Sequence, residues 1–207
     1  MIILLLALAG APLVFGRVLI NEIVTDPQRD WSDSAGGDGV SFNDRPGTGT
    51  LSATDEWLEL VNVSRTPLDL TSWTLVMIDT TPASETLGAS GATLRFARGG
   101  RLGAVLPGEH VVVGNPAGSL NNAIWIRLVD RAGQVVDEVE LGRGDFRGDG
   151  LGDEAPDGNA TGVADEAVAR LPEARDTDRD AADFAHRPAT IGRANDSTRI
   201  GRWPLYR

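Results

Sequence analysis

The chain of 207 residues is 41% hydrophobic and contains no cysteine. That is enough apolar material for one domain with a sizeable core, and it excludes disulfides, thiolate nucleophiles, Cys-based zinc sites and the lipid-anchored cysteine of bacterial lipoproteins. A formal net charge of -11 argues against nucleic acid and anionic membrane as partners, because phosphate affinity comes from Lys and Arg that displace counterions. All 19 basic residues are Arg, so lysine chemistry such as a Schiff base or a Walker lysine is excluded. Arg without Lys, beside abundant Ala, Gly and Asp, points to a GC-rich bacterial genome.

Residues 1–16, MIILLLALAGAPLVFG, are uncharged and end in small residues, the pattern of a signal peptide processed after Gly16, with Ala9 as the alternative. The apolar stretch falls short of the roughly 20 residues that span a bilayer, and Pro12 interrupts it, so a permanent anchor is the weaker alternative. The segment departs from the pattern in lacking a basic start, which a translation start further upstream would explain. The expected location is extracellular, cell-surface or periplasmic, with no membrane span once the signal is removed. The expected organisation is a signal at 1–16, one domain at 17–195 and a tail at 196–207.

Beyond Gly16, short alternating or β-branched runs recur between turn residues, and no window of helical length holds an unbroken apolar stripe of period 3.6. The chain is therefore expected to be all-β, with strands at 18–24, 56–62, 73–78, 93–96, 110–113, 124–129, 134–141 and 167–171. Eight short strands suit a sandwich. Asp130, Arg131, Ala132 and Gly133 offer a short turn with glycine for the left-handed position, so the flanking strands should pair as a hairpin. On its second strand Val135, Asp137 and Val139 share one face, expected to be the core side, which would oblige Asp137 to find a partner or an edge. Leu106, Pro107 and Gly108 read as a tight turn into a buried strand, and Trp73 as a core anchor.

Several blocks carry a resemblance: VLINEIV at 18–24, EWLELVN at 56–62, DLTSWTL at 69–75, LPGEHVVV at 106–113, IRLVD at 126–130, GQVVD at 133–137, and Asp183 with Phe184. In order and spacing the chain resembles the lamin tail domain of bacterial exported proteins over most of residues 17–195. The resemblance implies an immunoglobulin-like β-sandwich, here with long acidic loops, and no catalytic residue set. It also implies an accessory module of secreted or cell-surface proteins. The chromatin association of nuclear lamins is not implied for an acidic chain expected to be exported.

Enzyme motifs are missing from the sequence: it has 2 His, His110 and His186, and no HExxH, GxSxG or Walker loop. Both histidines read as structural. Three segments rich in Asp break the strand rhythm, at 26–55, 142–165 and 176–183. The first two exceed the length at which structureless loops become uncommon, so they should be functional, disordered, or ordered by something bound. Clustered carboxylates repel one another, and calcium relieves that repulsion by taking six to eight oxygen ligands from flexible Asp/Gly loops. The candidate ligands are Asp30, Asp33 and Asp38 in the first segment, Asp145, Asp149 and Asp153 in the second, and Asp176, Asp178 and Asp180 in the third. The third has alternate-residue spacing but no EF-hand, since Ala181 and Arg187 stand where Gly and Glu are needed. Solvated acidic turns are the competing explanation for all three.

RGD at 143–145 and 147–149 is expected by chance in a chain rich in these residues. The glycosylation patterns at Asn62, Asn159 and Asn195 are expected to be structural, Asn62 as a turn cap. Trp203 to Tyr206 could dock or lie back on the sandwich. Three functional classes remain: a binding or scaffolding module for a protein or surface-glycan partner, a purely structural envelope component, and a metal-dependent secreted hydrolase.

Overall fold

A computed structural model of the protein describes residues 17–31, 52–79, 81–88, 94–95, 102–118, 120–142 and 166–195. Ten strands follow in chain order: β1 Val18–Val24, β2 Trp57–Asn62, β3 Thr74–Ile78, β4 Ala83–Thr86, β5 Leu94–Arg95, β6 His110–Gly114, β7 Ile124–Val129, β8 Val135–Leu141, β9 Glu166–Arg170 and β10 Phe184–Pro188. They form an immunoglobulin-like β-sandwich of two antiparallel sheets, one ordered β10-β9-β1-β2-β6-β5 and the other β4-β3-β7-β8. All eight expected strands are present with bounds within one residue.

The interior is built by alternation. Ile20 and Ile23 of β1, Leu58 and Leu60 of β2, and Val111 and Val113 of β6 face Leu75 and Met77 of β3 and Ile126 and Leu128 of β7, all buried in one cluster. Trp73 is buried in the same cluster, as its sequence position suggests. Burying each such aliphatic side chain is worth about 1.5–3 kcal/mol, which is how a chain without disulfides holds two sheets together.

Turns follow the expected chemistry. Between β7 and β8, Gly133 has φ +77°, and the Asp130 carboxylate accepts from the amides of Ala132 at 2.8 Å and Gln134 at 2.9 Å, which pins the hairpin register. Asn62 caps the turn after β2: its amide donates to the carbonyls of Thr66 at 3.0 Å and Val105 at 2.8 Å and its oxygen accepts from Ser64 N–H. It is fully buried.

Three corrections to the sequence expectations have physical reasons. Strands β4 and β10 were not expected: ASET and FAHRP are too polar to show an apolar alternation, and both lie at sheet edges, where Pro188 costs no ladder bond. One helical turn, α1 Asp180–Asp183, interrupts the third acidic segment. On β8, Asp137 and Val139 face inward as expected, but Val135 is 48% exposed and Val136 packs against the core instead. A register shift opposite Leu128 and Val129 changes the alternation there.

The inward carboxylate of Asp137 meets β1 where its ladder is incomplete. Strand β9 pairs with β1 only at Glu22 and Ile23, and the β1–β2 register is broken between Ile20 and Glu22. Ile20 N–H therefore donates to Asp137 of the opposite sheet at 2.7 Å, while Ile20 C=O accepts from Arg170 Nε at 2.7 Å. Arg170, 1% exposed, donates to both Asp137 oxygens at 3.0 Å and to the Arg175 carbonyl at 2.9 Å, with its guanidinium 4.5 Å from the centre of the Phe184 ring. Removing one member of such a pair strands a buried charge. Asp137→Ala should lower unfolding free energy by about 3–5 kcal/mol in urea denaturation, and the double change of Asp137→Leu with Arg170→Met should recover much of that loss. Recovery is expected to be incomplete, because Ile20 would still lack its two polar partners.

Candidate functional site

The strand registers place the bases of both long acidic segments at one end of the sandwich. Val24 pairs with Trp57, and Trp57 with Gly114, while Glu166 pairs with Pro188 beyond the Ile23–Val168 pair. In the second sheet Ile124 pairs with Leu141 and Trp125 with Ile78. The two sheets are joined at this end by residues 115–123: Asn115 N–H donates to the Glu56 carbonyl at 2.7 Å, and Leu120 N–H donates to the Glu56 carboxylate. The segment at 26–55 and the segment at 142–165 thus leave from and return to the same end.

The base of the first segment is tied by a capping box, in which the Ser52 hydroxyl accepts from Thr54 N–H and the Asp55 carboxylate accepts from Ser52 N–H at 2.9 Å. The other Asp55 oxygen accepts from Trp31 N–H at 2.8 Å, so residues 31 and 55 are held together. Trp31 packs edge-on against Trp57, with centroids 6.2 Å apart at 76°. The second segment leaves at Gly142, where φ is +95° and a Cβ would lie 2.6 Å from the Ala123 backbone, so only glycine fits. It returns into buried Glu166.

Of the nine candidate ligands, Asp30 is buried at 2% exposure beside this base, and Asp33, Asp38, Asp145, Asp149 and Asp153 lie outside the described residues. The third segment lies elsewhere and does not converge. Asp176 pairs with Arg17 and Arg170, Asp178 is 90% exposed, and Asp180 accepts from Glu140 N–H on β8 at 2.8 Å. Asp183 is likewise engaged, by Thr177 N–H at 2.6 Å and Arg175 at 3.3 Å. Among the described residues no group of three or more His, Asp or Glu side chains is placed to hold a metal ion. The signal segment, both RGD tripeptides, Asn159 and the 203–206 tail also lie outside the described residues.

Several buried carboxylates escaped the sequence analysis, and two of them are held near neutrality. Glu56, at the loop-bearing end, is pushed up to about 7 by burial, against the Leu120 hydrogen bond and with Asp26 and Asp55 adding repulsion. Glu59 on the outer face of the larger sheet is pushed up to about 7 by burial, with His110, Asn21 and Gly192 opposing. Around it, His110 Nε2 lies 2.8 Å from Glu173 and 3.8 Å from Glu59, and Asn21 donates to Glu59 at 3.0 Å. The signal for this cluster is in EWLELVN: Leu58 and Leu60 face the core, yet Trp57 and Val61, on the opposite parity beside Glu59, are apolar too. Apolar residues on both parities mean a strand covered on both faces. His110 is held by carboxylates, consistent with a structural role.

A family model described as Lamin Tail Domain matches residues 14–143, more than half of the chain. No curated protein matches it.

Because Glu56 holds its proton to about pH 7 when folded but only to about 4.5 when unfolded, the folded state binds the extra proton between those values. Its stability contribution is complete below the unfolded value and is lost as pH rises through the folded one. Urea midpoints should therefore fall from about pH 5 to about pH 8, and Glu56→Gln, which keeps an acceptor for Leu120, should remove part of the fall, with Glu59, Glu85 and Asp137, whose carboxyls burial also raises, contributing to the rest.

Proposed function

This chain belongs to the Lamin Tail Domain family, and on that basis we propose that it is an exported, non-catalytic binding or scaffolding module acting at the cell surface or outside the cell. Its ligand face is the end of the sandwich where the segments at 26–55 and 142–165 are rooted, and its partner is a protein or surface glycan. Calcium is the proposed ordering ion for these two segments, held by carboxylates such as Asp33, Asp38, Asp145, Asp149 and Asp153.

The observation that carries this reading is the shared root. Two long Asp-rich segments that could have left from opposite ends are anchored at the same one, through strand register, the Asp55 to Trp31 hydrogen bond and the glycine-only exit at Gly142. Sandwich domains that bind through loops present them at one end on a rigid scaffold. Negative charge gathered there favours a cation or a partner bridged by one, and disfavours phosphate-rich ligands.

A thermal melt of the protein in excess EDTA and in millimolar calcium tests the proposal. Saturation a hundredfold above Kd adds about 2.7 kcal/mol, a rise in Tm of roughly 5–10 °C for a chain of this size. Asp33→Asn and Asp149→Asn should each reduce the rise while leaving the far-ultraviolet β signature intact. Coincident melts with and without calcium would leave solvated loops on a structural envelope domain, and turnover of a phosphodiester or glycoside would favour the hydrolase instead.

A further inference from the structure

After β10 the chain turns back across the outer face of the six-stranded sheet, and its backbone amides are received by carboxylates from three elements. Thr190 N–H donates to Glu22 of β1 at 2.8 Å, with its hydroxyl on the other Glu22 oxygen at 3.0 Å. Gly192 N–H donates to Glu59 of β2. Asn195 N–H donates to Glu173, in the connection after β9, at 2.6 Å, and the Asn195 side chain donates to the carbonyls of Asn21 at 3.1 Å and Arg170 at 3.0 Å. Beneath this run Ala189 and Ile191 cover Val24, Trp57 and Val112.

We propose that residues 189–195 form a pH-sensitive strap, latched by Glu22, Glu59 and Glu173 over the Trp57 patch, which loosens as pH rises through neutrality. The groups facing Glu59 are His110 of β6, Glu173, its cross-strand neighbour Glu22, Asn21, and the strap amide at Gly192; Arg193 on the strap is exposed. Glu59 is fully buried with the strap amide at Gly192 seated on it, and burial outweighs the hydrogen bond from that amide. With the strap closed, burial holds the Glu59 proton to about pH 7; with it lifted, water reaches the carboxylate and the value falls toward 4.5. The closed strap thus binds the extra proton, its stabilisation is complete below about 4.5, and it is lost as pH rises through about 7.

Amide hydrogen exchange on the whole protein, corrected for intrinsic rates at about pH 5.5 and about pH 8, reads the strap directly. Protection at Gly192 and Asn195 should fall about tenfold or more, with a ceiling of roughly 300-fold set by the span from 4.5 to about 7, while Leu60 and Val111 fall less. Glu59→Gln should abolish the strap's extra pH dependence. Asn21 can accommodate the new amide by turning, because its Oδ1 has no hydrogen-bond partner among the described residues. Equal strap protection at the two pH values, a fall no larger than at Leu60 and Val111, or an unchanged pH dependence in the Glu59→Gln protein would each overturn the proposal.

Discussion

The backbone of Ile20 sets the constraint on which the rest of the structure turns. It lies in a strand buried in the larger sheet, beside a break in register and beyond the reach of the β9 ladder. A buried N–H and C=O left there would each cost on the order of a hydrogen bond or more. Asp137 and Arg170 take them, and in doing so bind each other. One side chain comes from β8 of the smaller sheet and the other from β9 of the larger, so a local backbone requirement becomes a clamp between the two sheets. The matched family residues end at 143, and Arg170 therefore also fastens the β9–β10 hairpin and the 171–183 connection to the family-matched body.

That clamp accounts for much of the acidic composition. Asp176 and Asp183 lie within 4 Å of the same guanidinium, and Asp183 also receives Thr177 and Arg175. Elsewhere, Asp55 and Glu56 receive backbone amides at the loop-bearing end, as Glu22, Glu59 and Glu173 do on the outer face. A carboxylate has two acceptor oxygens and no donor when ionised, so it suits places where connections arrive with unused N–H groups. The cost appears where burial outweighs these hydrogen bonds: it raises the Glu85 and Asp137 carboxyls and holds Glu56 and Glu59 near neutrality rather than in the usual carboxylate range. Negative charge in this protein therefore has two uses: internal acceptors for chain connections, and the Asp-rich segments rooted at one end.

The sandwich was legible in the sequence where side-chain period and burial coincide. VLINEIV, EWLELVN and IWIRLV are strands within a residue of their expected bounds because a half-buried or fully buried strand must write its burial into its sequence. The hairpin at Asp130 to Gly133 was legible because a positive φ demands glycine and an Asx turn demands Asp. Edge strands β4 and β10 were not legible, since an edge half open to water needs no apolar stripe. The third acidic segment shows the same limit in chemical form: alternate Asp residues resemble a cation loop, but Arg17 and Arg170 engage Asp176, an amide from β8 engages Asp180, and Asp178 lies mostly in solvent at the edge of Arg17.

What the sequence by itself determined was local: strand positions, turn types, the family, and the oddity of an inward Asp at 137. These depend on near-neighbour period and backbone preference, which are written within a few residues. Only the tertiary structure decided that Arg170 would answer Asp137, that Glu59 would meet His110 and Glu173, and that two acidic segments separated by residues 56–141 would share one end of the sandwich. Those are consequences of which strands neighbour which and in what register, and a single sequence carries no spacing rule for contacts made across two sheets.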